Sequence, residues 1–227
     1  MPVPTPDPAL AAELYVRWGP EPGRDCPICP RLVAYREANR AAHPEWWNGP
    51  APSWGSTDAR LLVLGLAPGR MGANRTGRPF TGDFAGVLLY ETLAKYGFAR
   101  GDYAARPDDG LELIDCAVSN AVRCAPPENK PTGAEEAACR PFLAARISAL
   151  PRLRAVVTLG DVSRRNLLRA LGARPDLAPP GHGVETDVGA LRVFSSYHCS
   201  RLNTNTGRLT PAMFEGVFAR VRAHLDA

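Results

Sequence analysis

Lysine is nearly absent from this chain of 227 residues: it occurs only at positions 95 and 130, so 25 of the 27 basic side chains are Arg. No run of roughly 18 apolar residues occurs, so a membrane-spanning helix is not expected. The start Met1-Pro-Val-Pro-Thr-Pro has no basic region followed by an apolar stretch, so a secretory signal is not expected either, and a cytoplasmic location follows as the expectation. There is no His-Glu-x-x-His motif and only four scattered His, which leaves little to build an open catalytic zinc site. The glycine-rich run Gly65-Leu-Ala-Pro-Gly69-Arg-Met-Gly72 lacks the glycine spacing of a dinucleotide fingerprint and the terminal Lys of a P-loop. Charge is not concentrated: a net +4 and 22% charged residues identify no partner by themselves. Arg does favour bidentate contacts to phosphate, as a nucleic-acid surface requires, but codon bias in a chain rich in Ala, Gly and Pro yields the same composition.

What is present describes an ordinary globular chain. Apolar residues at 45% exclude wholesale disorder, and the 21 Gly and 23 Pro predict long structured loops. A Pro-rich lead-in over residues 1–8 precedes a short helix from Ala9 to Trp18, and Pro30 opens a second helix to about Ala42. Apolar runs predict strands at 60–65, 111–122, 154–159 and 190–195. Between them, helical spacing predicts a helix from Asp83 to before Gly97, with Phe84, Leu88, Leu89, Leu93 and Tyr96 as its inward stripe. Thr132 and Glu135 form a capping-box pattern for a helix to about Leu150, and Asp161 to Leu171 reads as another. Thr210 and Pro211 open a last helix whose stripe is Phe214, Val217, Phe218, Val221 and Leu225. Strands alternating with helices predict a single α/β domain over 1–227, three-layer αβα, around a mainly parallel four-stranded sheet. In such folds ligands bind at the carboxyl ends of strands, and every notable motif of this chain follows a strand.

Six cysteines stand at 26, 29, 116, 124, 139 and 199, in a chain otherwise read as cytoplasmic, where disulfides are uncommon. Cys26 and Cys29 have the spacing that lets two thiolates bind one metal centre, and Cys124 with Cys139 supplies a second pair. Four thiolates complete a zinc site or a four-iron, four-sulfur cluster; the long interval from 124 to 139 is unlike a zinc knuckle. The alternative is a Cys26–Cys29 redox pair with the others buried as small apolar residues. Cys116 and Cys199 are read as unliganded.

Four segments discriminate further: Gly65-Leu-Ala-Pro-Gly69; Gly77-Arg-Pro-Phe-Thr-Gly82-Asp83; Ser119-Asn120-Ala-Val-Arg-Cys-Ala-Pro-Pro127; and His198-Cys-Ser-Arg-Leu202-Asn203. In this order, with four cysteines interleaved, the chain from about Cys26 to Leu225 resembles the iron–sulfur branches of the uracil-DNA glycosylase superfamily, most closely the thermophilic and actinobacterial type b, or family 5. The resemblance implies a structural 4Fe-4S cluster on Cys26, Cys29, Cys124 and Cys139. It implies double-stranded DNA carrying uracil or another deaminated base, such as hypoxanthine or xanthine, as substrate, and base-excision repair by a monofunctional enzyme acting as a monomer. Phe80 matches the aromatic that stacks beneath a flipped base, Asn120 the amide that reads the pyrimidine edge, and His198 the donor to the departing base; Ala67 and Gly69 line the same pocket. Leu202 falls where the family inserts an apolar wedge into the DNA stack, with Ser200, Asn203 and Arg208 as phosphate contacts. Leu66 and Ala67 stand where better-known branches carry an Asp or Glu for water, so Asp83 becomes the carboxylate expected to position water, although it would equally serve as a helix N-cap. Cys199 replaces a Pro common in related proteins, which predicts a looser loop around the wedge. The competing expectation is a non-catalytic iron–sulfur or zinc protein that binds nucleic acid, which would use the same Arg surface without needing Phe80, Asn120 and His198 to converge.

Overall fold

A computed structural model describes residues 5–227; the first four residues of the Pro-rich lead-in lie outside the described residues. Two helices come first, α1 (Pro8–Trp18) and α2 (Pro30–Ala42), each opened by a proline in its first turn, where the missing N–H costs nothing. The remainder alternates: β1 (Trp54–Gly55), β2 (Leu61–Gly65), α3 (Ala73–Thr76), α4 (Phe84–Lys95), β3 (Ala99–Arg100), β4 (Glu112–Leu113), β5 (Cys116–Asn120), α5 (Gly133–Ser148), β6 (Ala155–Leu159), α6 (Asp161–Ala170), β7 (Val184–Val188), β8 (Leu191–Ser196), α7 (Arg201–Asn205) and α8 (Pro211–Asp226).

The central sheet has six strands in the order β1-β5-β2-β6-β8-β7, which corrects the expected four-stranded parallel sheet. The four expected strands form its parallel middle, while β1 and β7 add antiparallel edges against β5 and β8. Both edges were illegible for physical reasons. β1 is two residues long, and β7 reads Val-Glu-Thr-Asp-Val because one side of an edge strand stays wet. The expected strand over 111–122 is interrupted at Asp115, φ 53°, which separates β4 from β5; β4 joins β3 in a separate two-stranded sheet.

Alternate residues of the middle strands feed two cores. Leu61, Val63, Val118, Val157 and Phe194 pack with Leu89 and Leu93 of α4 and with Phe214, Val217, Phe218, Val221 and Leu225 of α8. Leu62, Leu64, Ala117, Val156 and Val193 pack on the other face with Leu143 of α5 and Leu167 and Leu168 of α6. A continuous apolar strand is what this burial on both faces demands. The Thr132–Glu135 capping box forms as expected, with Glu135 N–H donating to Thr132 Oγ1 and Thr132 N–H to the Glu135 carboxylate. Phe84 departs from its expected inward position: it lies in the first turn of α4, 38% exposed, at the mouth of a cleft. No helix of the described residues is long and apolar enough to cross a membrane.

Candidate active site

The parallel strands run in the order β5-β2-β6-β8, so chain direction across the sheet reverses between β2 and β6. A cleft of about 460 Å³ opens at the carboxyl ends of β2, β5 and β8, the place such sheets reserve for ligands. Its floor and walls come from segments far apart in sequence: Ala67 to Gly72 after β2, Phe80, Asp83 to Ala85, Asn120, and His198.

Gly65 ends β2 and pairs across the sheet with Asn120 at the end of β5. A Cβ on Gly65 would sit 2.4 Å from Phe80 Cζ and 2.5 Å from Asn120 Oδ1, so only glycine lets the ring lie over the strand end beside the amide. Asn120 is 2% exposed, and its Oδ1 has no hydrogen-bond partner among the described residues. A buried acceptor left unpaired costs about 1–3 kcal/mol, a cost this fold accepts in the cleft floor.

Phe80 holds a left-handed backbone, φ 52°, that a bulky residue rarely adopts and that costs of order 1 kcal/mol or more. Its surroundings impose it. The Tyr103 hydroxyl donates to the Phe80 carbonyl at 3.1 Å and accepts from Gly82 N–H at 3.2 Å, and the Tyr90 hydroxyl donates to the Pro79 carbonyl. Arg78, itself buried, makes a fork to Asp109 at 2.8 and 2.7 Å and donates to Thr81 at 2.7 Å. That guanidinium, with burial opposing it, holds Asp109 well below the usual carboxylate range. The Phe80 and His198 rings lie 6.1 Å apart at 28°.

Asp83 divides its carboxylate. Oδ1 caps α4 by accepting from Gly86 N–H at 3.3 Å. Oδ2 lies toward the glycine-rich loop, where a Cβ on Gly72 would stand 2.3 Å away and one on Gly69 3.2 Å away. The glycines therefore make room for a carboxylate rather than for a phosphate. Burial raises the Asp83 pKa, against the hydrogen bonds from Gly86 and Ala85 that lower it. Desolvation pulls His198 down from 6.5 to about 4, so its imidazole is neutral at physiological pH.

The segment after His198 forms the short helix α7. Ser200 caps it by accepting from Asn203 N–H at 3.5 Å, and Asn203 Nδ2 donates to the His198 carbonyl at 2.8 Å. Leu202 projects from α7, 73% exposed. Arg208 stacks on Tyr197 at 4.5 Å and Arg201 on Phe84 at 5.2 Å. Cys199 corrects the expectation of a loose loop: it is fully buried, and its thiol donates to the Ala85 carbonyl at 3.5 Å, tying this segment to the start of α4. Ala67, Gly69, Phe80, Asp83, Asn120, His198 and Ser200 thus line one cleft, while Leu202, Asn203 and Arg208 lie outside it on the same loop. Arg70, Met71, Phe84, Asn129 and Arg201 line the cleft as well and were not foreseen, because nothing local marks a residue on a loop as facing one side.

The cysteines overturn an expectation. Cys26, Cys29, Cys124 and Cys139 come together around one narrow cavity beside Ile28, Leu32, Val122 and Phe142. All six cysteines are free, and among the described residues no group of three or more His, Cys, Asp or Glu side chains is arranged to hold a metal ion, which corrects the expected 4Fe-4S cluster and the metal role of these four residues. The cavity has room for about 20 Å³, close to a single water, so the donors as packed do not fit a cluster. Burial raises all four thiols, Cys29 to about 12 and Cys139 to about 11, which makes them neutral members of an apolar core. Spacing pairs Cys26 with Cys29; tertiary packing brings Cys124 and Cys139 to them and sets the room between.

Comparison with known proteins agrees with the cleft. The family model of the uracil DNA glycosylase superfamily matches residues 52–222. The type-5 uracil-DNA glycosylase of Thermus thermophilus is 44% identical over 195 residues, covering 83% of this chain and 89% of the relative. That of Pyrobaculum aerophilum is 41% identical over 203 residues, 88% of each chain. That of Mycobacterium tuberculosis is 43% identical over 206 residues, 87% of this chain and 77% of the relative. Matches of this extent and identity place the chain in the uracil DNA glycosylase superfamily, among the type-5 uracil-DNA glycosylases.

Proposed function

We propose that the chain excises uracil, and other bases that share its lactam edge, from double-stranded DNA by hydrolysis of the N-glycosidic bond. The observation that carries this reading is the convergence of Phe80, Asn120 and His198, from three segments far apart in the chain, on one cleft, with the Asn120 amide oxygen without a partner among the described residues and the His198 imidazole neutral. Deamination converts a base edge into an N–H next to a carbonyl, as in uracil, hypoxanthine and xanthine. An Asn amide pairs with that edge through both its acceptor and its donor. Cytosine offers an acceptor at the corresponding ring nitrogen, so an amide held in the orientation that suits uracil would leave Oδ1 unpaired, a loss of the kind that drives discrimination.

The flipped base stacks on Phe80, and Leu202 fills the gap it leaves in the duplex. As the bond from the base nitrogen to C1′ breaks, its electron pair moves onto the base. His198, being neutral, donates a hydrogen bond to the base carbonyl that gains charge and keeps its proton. Water adds its oxygen to C1′, and Asp83 Oδ2 orients that water and accepts its proton, a role its raised pKa suits. Ala67 and Gly69 border the base, and Ser200, Asn203 and Arg208 meet the phosphates beside the wedge. The chain acts as a single domain and a monomer, in the cytoplasm where a bacterial chromosome lies.

Incubation with a duplex containing one uracil should release free uracil and leave an abasic site that breaks only after alkali. Intact duplex under single-turnover conditions, with enzyme in excess, would refute the reading.

A further inference from the structure

A second histidine supports the segment that carries His198. His182 lies between Gly181 and Gly183, ahead of β7, against the end of β8. Tyr197 N–H donates to His182 Nδ1 at 3.3 Å, and His182 Nε2 lies 3.2 Å from the Met213 carbonyl in the first turn of α8. A backbone N–H only donates and a carbonyl only accepts, so a single form satisfies both contacts: neutral imidazole with its proton on Nε2. The Ser196 hydroxyl, 3.3 Å from Nδ1, donates to the Tyr197 carbonyl at 2.8 Å and does not disturb this assignment.

The peptide between Ser196 and Tyr197 is consequently gripped at both ends. Its carbonyl accepts from Gly160 N–H at 2.8 Å while its N–H donates to His182. Because the peptide is planar, fixing both polar ends sets the direction in which the chain leaves the sheet, one residue before His198. The Tyr197 ring adds to the grip, lying 5.4 Å from the His182 ring with Arg208 stacked on it at 4.5 Å. We propose that His182 is a positioning residue for base excision, holding the Ser196–Tyr197 peptide as its Nε2–H tautomer and so aiming His198 into the cleft. This rests on the reading of His198 as donor to the departing base.

The charged groups near His182 are Arg220 of α8, which donates to the Gly183 carbonyl at 3.4 Å, and Glu185 of β7, which pairs with Arg220 at 2.7 Å. Burial holds His182 below the usual His range, against the Met213 hydrogen bond that raises it, with Arg220 adding the smallest effect in the lowering direction. The acceptor is therefore kept at neutral pH. Protonation would set Nδ1–H against Tyr197 N–H and release the peptide.

Three variants separate positioning from bulk structure. His182→Ala should slow single-turnover uracil excision about tenfold to a hundredfold, as small misplacements of reacting groups do, with duplex affinity little changed. His182→Asn places its Oδ1 where Nδ1 stands and should restore most of the rate. His182→Gln reaches the Met213 carbonyl but offers Tyr197 no acceptor, and should stay as slow as Ala. The acid limb of the rate against pH should lose one ionisation in His182→Asn. Wild-type rates in all three variants, or an Asn variant no faster than Ala and Gln, would overturn the proposal. Nitrogen chemical shifts of His182 in the wild-type protein supply a readout independent of variant folding: the Nε2–H tautomer is expected, and Nδ1–H would overturn the clamp. Wild-type protein that shows Nε2–H yet releases no uracil would instead defeat the functional reading.

Discussion

Asp83 shows how one side chain carries two demands. Its Oδ1 is an N-cap, its Oδ2 faces the cleft beside Gly72, and burial raises its pKa. A folded-state pKa raised above the unfolded value means a stabilising contribution that is complete at low pH and is lost as pH rises through the folded pKa. At neutral pH the charge on Asp83 is thus a cost to folding. Asp83→Asn keeps the cap and removes the charge, so its melting temperature at pH 7 should equal or exceed that of the wild type while uracil excision falls steeply. Asp83→Ala should lose the same activity and about 1 kcal/mol of stability with the cap. Wild-type excision should rise with pH as Asp83 ionises, and in Asp83→Asn that rise should disappear. Calorimetry and single-turnover rates on both variants check this, and an Asn variant with unchanged chemistry would reduce Asp83 to a cap.

At the scale of elements, α7 is a short helix whose anchors are polar and whose exposed member is apolar. Ser200 caps it and Asn203 ties it to the His198 carbonyl, so these two expected phosphate contacts also build the platform from which Leu202 projects. Leu202→Ala should leave the melting temperature unchanged, since an exposed side chain buries nothing on folding. Its excision rate should fall more for uracil paired with adenine than for uracil opposite guanine, because a mismatched base is easier to extrude. Equal losses on the two duplexes would count against a wedge. The helices were legible wherever their signals were local: Pro30, Thr132 with Glu135, and Thr210 with Pro211 all open helices as read. The edge strands β1 and β7 were not, because what makes them strands is a neighbour, Val118 for Trp54 and Phe194 for Glu185, and not their own pattern.

For the whole molecule, only part of the abundant Arg is left as free positive surface: Arg17, Arg24, Arg169, Arg201 and Arg208 are exposed and form no ion pair among the described residues. Much of the rest is spent internally: Arg78 on Asp109, Arg123 and Arg146 on Glu21, Arg164 on Asp161, Arg60 on Asp115. Arg208 differs, being exposed beside the cleft and stacked on Tyr197. Arg208→Ala should weaken binding to uracil-containing and undamaged duplex alike, and lower the slope of log affinity against log salt by about 0.9, the value of one phosphate contact. A slope unchanged across a salt titration would assign Arg208 to packing on Tyr197 alone.

The sequence by itself determined the alternation of strand and helix, the caps and the stripe of α8, because each is written in neighbours a few residues apart, whereas the meeting of the four segments at one cleft was implied by the family resemblance. The spacing of the cysteines left two arrangements open, a four-thiol centre or a Cys26–Cys29 pair, and only the packing of α2 against α5, with Leu32 and Phe142 beside Cys29 and Cys139, decided the clearance around them. Only the tertiary structure decided that Phe80 would hold a positive φ, that Asn120 would keep an unpaired oxygen, and that His182 would stand behind His198. Each of these depends on packing between segments distant in the chain, and that packing supplies the free energy to keep a strained backbone or an unsatisfied group in place.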